Sequence, residues 1–323
     1  MNEQNHLYGH LAAGFSIFVW GTTFISTKVL LEAFTPLEIL FFRFLIGYAT
    51  LWLACPRLLR TKSKKQECLF AAAGICGVTL YFLMENFALT ITLAANVSVI
   101  IAAAPFFTAL FDWLFLKGEK PGPRFLAGFL IAILGISLIS FQRSSGMRTN
   151  PKGDLLALAA AVTWAAYSVI TKKIGEYGHG TVETTRHIFF YGLLFMVPVL
   201  AILPFRLGFY RFADTKNLLN ILFLGLGASA LCFATWNFAV KDLGSVKTSV
   251  YIYAVPVITV ISSMLLLNER VSFQSAWGIV LTLSGLMVSE SKARSKGFRL
   301  WRKKTRFCPK LISSSPRVHM ERT

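Results

Sequence analysis

Charged and hydrogen-bonding residues set inside long apolar runs are the places where this chain has chemistry to offer. Arg43 stands in Phe41-Phe42-Arg43-Phe44. A guanidinium there binds a carboxylate or phosphate in bidentate fashion, or equally holds a neighbouring helix through backbone carbonyls. Lys247 opens another apolar run and suits an anionic group, or else anchors the helix end. Tyr251 follows one turn later, and Tyr81 and Tyr167 offer hydroxyls from other runs. Trp20 to Lys28, which includes Thr23, and Trp164 to Lys172 share a tryptophan and a lysine at the same interval. Those tryptophans either line a cavity or pack helices, and the lysines sit where a long side chain snorkels. Asn96 and Trp236 complete the candidate set. Glu85, Asp112, Glu119 and Glu269 all fall near the ends of apolar runs, so no carboxylate is expected at the centre and any ion coupling stays open.

Other chemistries lack their residues. The five cysteines form no Cys-x-x-Cys pair, and the histidines supply no metal-ligand set. A phosphate loop, a nucleophile elbow and paired carboxylates are missing too. No enzyme, cofactor or metal is expected.

The elements that position these residues follow from composition. With 55% hydrophobic and only 15% charged residues, and a mean hydropathy of +0.59, the chain belongs in a bilayer. About 20 helical residues cross the hydrocarbon layer. The apolar windows give ten spans, near 10–31, 36–56, 67–88, 93–115, 124–141, 153–174, 182–204, 217–240, 245–267 and 271–289. The first lacks a small-residue cleavage site and reads as a retained helix. Lysine and arginine concentrate at Arg57 to Lys65, Lys117 to Arg124, Lys172, Lys173, Lys241, Lys247 and the segment after Ser291, which predicts both termini on the cytoplasmic side. The net charge of +18 lies mostly in loops and in this tail. Residues 291–323 read as a disordered cytoplasmic tail drawn to anionic lipid, with no nucleic-acid partner.

The chain also repeats itself. Asn86-Phe87-Ala88 leads to Pro105 over the same interval that separates Asn237-Phe238-Ala239 from Pro256, and Gly128 and Gly135 are echoed by Gly278 and Gly285. Each proline removes a helical hydrogen bond in mid-run, giving a gate hinge or a simple packing bend. The glycines permit a close helix contact, fixed within the chain or supporting a homodimer. The predicted fold is an all-α integral membrane protein, with ten transmembrane helices as two inverted five-helix repeats at 10–141 and 153–289. Five spans per repeat make the second copy enter from the opposite side, and inverted halves suit alternating access. Arg186-His187 fall in the second copy near the place of Arg43.

Phe42-Arg43-Phe44, the Trp20-Gly21 and Trp164-Ala165 helices, Ala94-Ala95-Asn96 running to Ala104-Pro105, Asn268-Glu269-Arg270 and the closing glycine helices resemble the EamA family of the drug/metabolite transporter superfamily. The resemblance implies inverted five-helix repeats and transport of small metabolites, with export of amino acids or related compounds as the leading expectation. An anion exchanger similar to sugar-phosphate or nucleotide-sugar carriers is the alternative, motivated by Arg43 and Lys247. The partners expected are a small-molecule substrate and the bilayer of a bacterial inner membrane. The tail after Ser291 departs from the family pattern.

Overall fold

The computed structural model describes residues 3–120, 122–140, 150–268, 272–274, 276–285 and 287–288, and among these no strand occurs. The helices, in chain order, are α1 (Glu3–Leu30), α2 (Pro36–Ala54), α3 (Lys64–Ile91), α4 (Ala94–Leu116), α5 (Pro123–Ser140), α6 (Pro151–Gly175), α7 (Thr181–Ile202), α8 (Thr215–Leu243), α9 (Ser245–Leu266) and α10 (Ala276–Gly285). Among the described residues eight helices are long and apolar enough to cross a membrane; Pro123–Gly135 within α5 and Ala276–Gly285 are shorter apolar stretches. The chain is a multi-pass membrane protein. Glu269, Arg270 and the tail at 291–323 lie outside the described residues.

Helix ends are closed by their own sequence, as backbone groups near lipid require. Thr35 and Glu38 form a reciprocal capping box ahead of Pro36, with the Thr35 amide donating to Glu38 at 2.9 Å. Asn150 and Asp214 cap α6 and α8 through side-chain oxygens. Inside the bilayer the ladder changes at matched places. Pro105 and Pro256 each open a fresh helical segment, after a turn at Ala102 and Ala103 in α4 and a 3-10 stretch at Val250–Ala254 in α9. α3 carries a π-helical stretch at Ile75–Leu80 and α8 one at Phe223–Leu231. These two overlap in the register that aligns the prolines.

Packing interleaves the two parts of the chain. α1 lies chiefly on α8 and α9, whereas α6 lies on α3 and α4; α2 packs on the π stretch of α8, and α7 on α3. Gly225 and Gly74 make the last two contacts possible. A Cβ on Gly225 would meet Ile46 at 2.6 Å and the Arg43 carbonyl at 3.3 Å, and one on Gly74 would meet Tyr191 at 2.7 Å and the Ile188 carbonyl at 2.8 Å. The glycines of α5 and α10 face each other within the chain. A Cβ on Gly135 would stand 2.5 Å from the Thr282 amide nitrogen, and one on Gly285 2.5 Å from that of Ala132. Rising residue number in one helix meets falling number in the other, so α5 and α10 run antiparallel. Large apolar side chains such as Phe18, Leu53, Leu134 and Leu265 remain on the outside, as a lipid-facing surface allows.

Contacts sort the helix ends into two faces. On the first, Thr92 at the end of α3 donates to Asp154 at the start of α6 at 3.3 Å, and Lys216 at the start of α8 meets Glu32 at 3.0 Å. On the second, Lys172 near the end of α6 meets Asp112 near the end of α4 at 2.6 Å, and Ser245 at the start of α9 donates to Asp112 at 3.3 Å.

Candidate functional site

Where α1, α2, α3, α4, α6 and α9 converge, a narrow cavity of about 30 Å³ lies inside the helices. Trp20, Thr23 and Phe24 come from α1, Arg43 from α2, Tyr81, Phe82 and Glu85 from α3, Ile101 from α4, Trp164 from α6, and Ile252 and Val255 from α9. Five of the residues singled out in the sequence therefore meet in one place: Trp20, Thr23, Arg43, Tyr81 and Trp164.

The aromatic wall is continuous. The rings of Trp20 and Trp164 meet edge to face at 5.2 Å, Trp236 lies 5.1 Å from Trp20, and Tyr81 lies 4.9 Å from Trp164. Such pairs add about 0.5–1.5 kcal/mol each beyond their area. The Trp20 indole donates to the Ala228 carbonyl at 2.9 Å, in the π-helical stretch of α8. The indole nitrogens of Trp164 and Trp236 are buried without a hydrogen-bond partner among the described residues. Trp236 backs this wall from behind, fully buried. Tyr167 also stands behind it, its hydroxyl donating to Asn237 at 2.7 Å, while Asn237 donates to Thr185 at 2.9 Å.

Arg43 is 1% exposed and is held on one side only. Its Nε donates to Ser229 Oγ at 2.7 Å, and its guanidinium lies 4.1 Å from the centroid of the Phe82 ring. Both terminal nitrogens, Nη1 and Nη2, lack a hydrogen-bond partner among the described residues. Glu85, also 1% exposed, lines the same cavity as Arg43 and Tyr81, and its Oε1 has no hydrogen-bond partner among the described residues. A buried charge is expensive unless paired, and here a guanidinium and a carboxyl group face one space. Glu85 lies near the end of α3, as the sequence leads one to expect, but its burial against the cavity does not follow from that position. The convergence of α2 and α3 buries it. The signal available was its spacing, four residues after Tyr81 and so on the same helix face. Ser229 and Ala228 were beyond sequence reasoning, because nothing in Phe223–Leu231 announces a π-helical turn.

Other candidates lie elsewhere. Lys247 is exposed, and Tyr251 accepts or donates a hydrogen bond at 2.7 Å with His10. Neither lines the cavity: Lys247 points outward, and Tyr251, half-buried within the 3-10 stretch, turns to His10 of α1 while its neighbour Ile252 reaches the cavity. Asn96 is buried in α4 but is not among the lining residues. The counterpart of Arg43 is not Arg186-His187. The matched glycine contacts pair the Arg43 carbonyl with that of Ile188, and Arg186 instead donates to the carbonyls of Cys55 and Arg57. His187 and the Tyr191 hydroxyl reach Glu67 at 3.0 and 2.6 Å. His6 and His10 are four residues apart on α1, a spacing some metal sites use, but among the described residues no group of three potential ligands is placed to hold a metal.

Two ion pairs, one largely buried and one half-exposed, lie on the two faces. On the first face Arg211, in the connection from α7 to α8, meets Glu38 of α2 at 2.7 Å and also donates to the Ala33 carbonyl at 2.8 Å. On the second face Asp112 and Lys172 join α4 to α6. Each pair ties the first part of the chain to the second.

The profile of the EamA-like transporter family matches residues 7–141 and 151–290. A protein of Archaeoglobus fulgidus called an uncharacterized transporter is 29% identical over 288 residues, covering 88% of this chain and 97% of its own. A probable terminal-alkyne amino-acid exporter of Streptantibioticus cattleyicolor is 25% identical, covering 84% of this chain and 90% of its own. A probable amino-acid metabolite efflux pump of Escherichia coli is 26% identical, covering 84% and 91%. A solved chain described only as "Crystal structure of protein" shares the fold with a TM-score of 0.61 at 21% identity, over 91% of this chain and 99% of that one.

Proposed function

The chain belongs to the EamA-like transporter family, and from that premise we propose that it exports amino acids or related small metabolites by alternating access around the Trp20–Arg43–Glu85–Trp164 cavity. The carrying observation is the cavity's position, between helices of both parts of the chain and between two ion pairs on opposite faces. At about 30 Å³ it holds little more than a water. A metabolite therefore enters only when the parts separate, and breaking one clamp while keeping the other opens one face at a time. The relatives named as amino-acid exporter and efflux pump support the substrate class and direction.

An arrangement of ten spans as inverted repeats supports this cycle. α4 ends on the second face and α6 begins on the first, so the chain between them crosses, and α5 is the helix available. The antiparallel contact of α5 with α10, the paired contacts at Gly74 and Gly225, and the matched π stretches all have the form that exchanged halves would give. In this reading both termini are cytoplasmic in a bacterial inner membrane, and the basic tail meets anionic lipid. The anion-exchange reading loses Lys247, which is exposed, and a dianion would face Glu85 beside Arg43.

The test compares extracellular metabolites of cells with and without the expressed protein, with Trp20→Ala plus Trp164→Ala as control. A small set of compounds accumulating only with the intact chain is the expected result. No difference, with the protein verified in the membrane, overturns export.

A further inference from the structure

Arg43 and Glu85 face the same cavity but do not close on each other. Nη1 and Nη2 of Arg43 and Oε1 of Glu85 keep unused hydrogen-bonding capacity at 1% exposure. The Ser229 bond to Nε and the Phe82 ring beneath the guanidinium fix its orientation, which leaves the two terminal nitrogens as a fork. A purely structural ion pair would satisfy its own donors and acceptors, since an unmet buried charge is the costliest group to leave. Here a donor fork and a carboxylate oxygen are presented together to a third party, beside the apolar faces of Trp20, Trp164 and Phe24.

We propose that Arg43 and Glu85 form a headgroup site for a zwitterion, the α-carboxylate of an amino acid meeting the guanidinium fork and its α-ammonium meeting Glu85. This rests on the transporter reading and names its recognition chemistry. A planar guanidinium matches a carboxylate with two parallel bonds, and a carboxylate is the natural acceptor for an ammonium. The aromatic wall takes the side chain, so selection acts on the headgroup while an apolar side chain of varied shape is accepted. Solutes bearing only one of the two charges leave the other protein charge uncompensated in a dry site, and that penalty is the source of discrimination.

The experiment titrates the tryptophan fluorescence of the purified protein with three solutes of one alkyl group: leucine, isoamylamine, which lacks the carboxylate, and isocaproate, which lacks the ammonium. Phenylalanine, phenethylamine and hydrocinnamate form a second set. Loss of one charged hydrogen-bonded contact weakens binding on the order of tenfold to a hundredfold, so in at least one set the amino acid binds tenfold or more tightly than both analogues. Glu85→Gln lowers the preference for amino acid over acid by about tenfold, and Arg43→Gln lowers that over amine. A wild-type protein that binds all three members of a set alike, or that binds none of the six, overturns the proposal without needing a variant. So does a folded Glu85→Gln protein whose order of preference is unmoved. Uptake of a broad metabolite panel into proteoliposomes is measured in parallel. Transport of other compounds alongside failed headgroup selection defeats this inference and leaves the transporter reading standing, whereas transport of nothing defeats both.

Discussion

Replacing Asp112 by Asn removes the charge that binds Lys172 at 2.6 Å while keeping the side chain's shape. The magnitude follows from how wet the pair is. Exposed pairs contribute about 0.2–1 kcal/mol, and breaking a fully buried one costs about 3–5 kcal/mol. The Asp112 side chain is 10% exposed but that of Lys172 is 33% exposed, so the released lysine recovers part of its hydration and the loss is about 1–2 kcal/mol. That change acts only on the state in which the second face is closed. It shifts the balance toward opening there by about fivefold to thirtyfold, since 1.4 kcal/mol is a factor of ten. The readout is alkylation of a single cysteine in a background with the native cysteines replaced. Thr248→Cys reports the second face and Thr27→Cys the first; both positions are fully buried. Asp112→Asn raises the Thr248→Cys rate by that factor and lowers the Thr27→Cys rate, and Glu38→Gln, which breaks the Arg211 pair, does the reverse. If both substitutions speed both reporters, the pairs only hold the fold together. If Asp112→Asn moves neither, the pair is no clamp, and the reasoning fails.

Gly135→Leu puts a side chain against the Thr282 amide and the Gly278 carbonyl, which cannot rotate aside; it should destabilise the protein by about 1–3 kcal/mol, seen as a lower midpoint in thermal unfolding in detergent. Lys247→Ala should leave transport within about twofold of wild type, because truncating an exposed side chain that does not line the cavity changes little; selective loss of anion transport in that variant would restore the exchanger reading.

The sequence carried the fold further than the site. Apolar windows located the long helices, because length and hydropathy are fixed by the bilayer itself. The spacing of Asn86, Pro105, Gly128 and Gly135 with Asn237, Pro256, Gly278 and Gly285 marked positions that serve the same local ends in both parts: α5 meets α10 through the glycines, and each proline starts a new segment. Depth was harder to see. Glu85 and Lys247 both lie close to a helix end, yet one is buried and the other exposed. What separates them is which neighbouring helices close over each position, a matter of packing between residues far apart in sequence. Arg43 could be recognised as a buried cation, but its partner came from α8 through Ser229, a contact between residues far apart in sequence.

The same comparison explains why the charged lining residues of the cavity both come from the first part of the chain. The backbone contacts come in pairs: α2 on α8 matches α7 on α3, and Gly225 on Ile46 matches Gly74 on Tyr191. The charges do not. In the register of the glycine contacts Ile188 takes the place of Arg43, and in the register of the prolines Trp236 takes the place of Glu85. Two charged pairs at matched positions would have put four ionised groups around a space of about 30 Å³, and each would have needed its own compensation in a medium of low dielectric. With the proposed headgroup site, one pair opposite an aromatic wall gives a solute a single way round: charged end toward α2 and α3, apolar end toward Trp20 and Trp164. On the proposed transporter reading, the paired backbone contacts serve a motion of two similar parts, and the side chains that differ between them orient the solute.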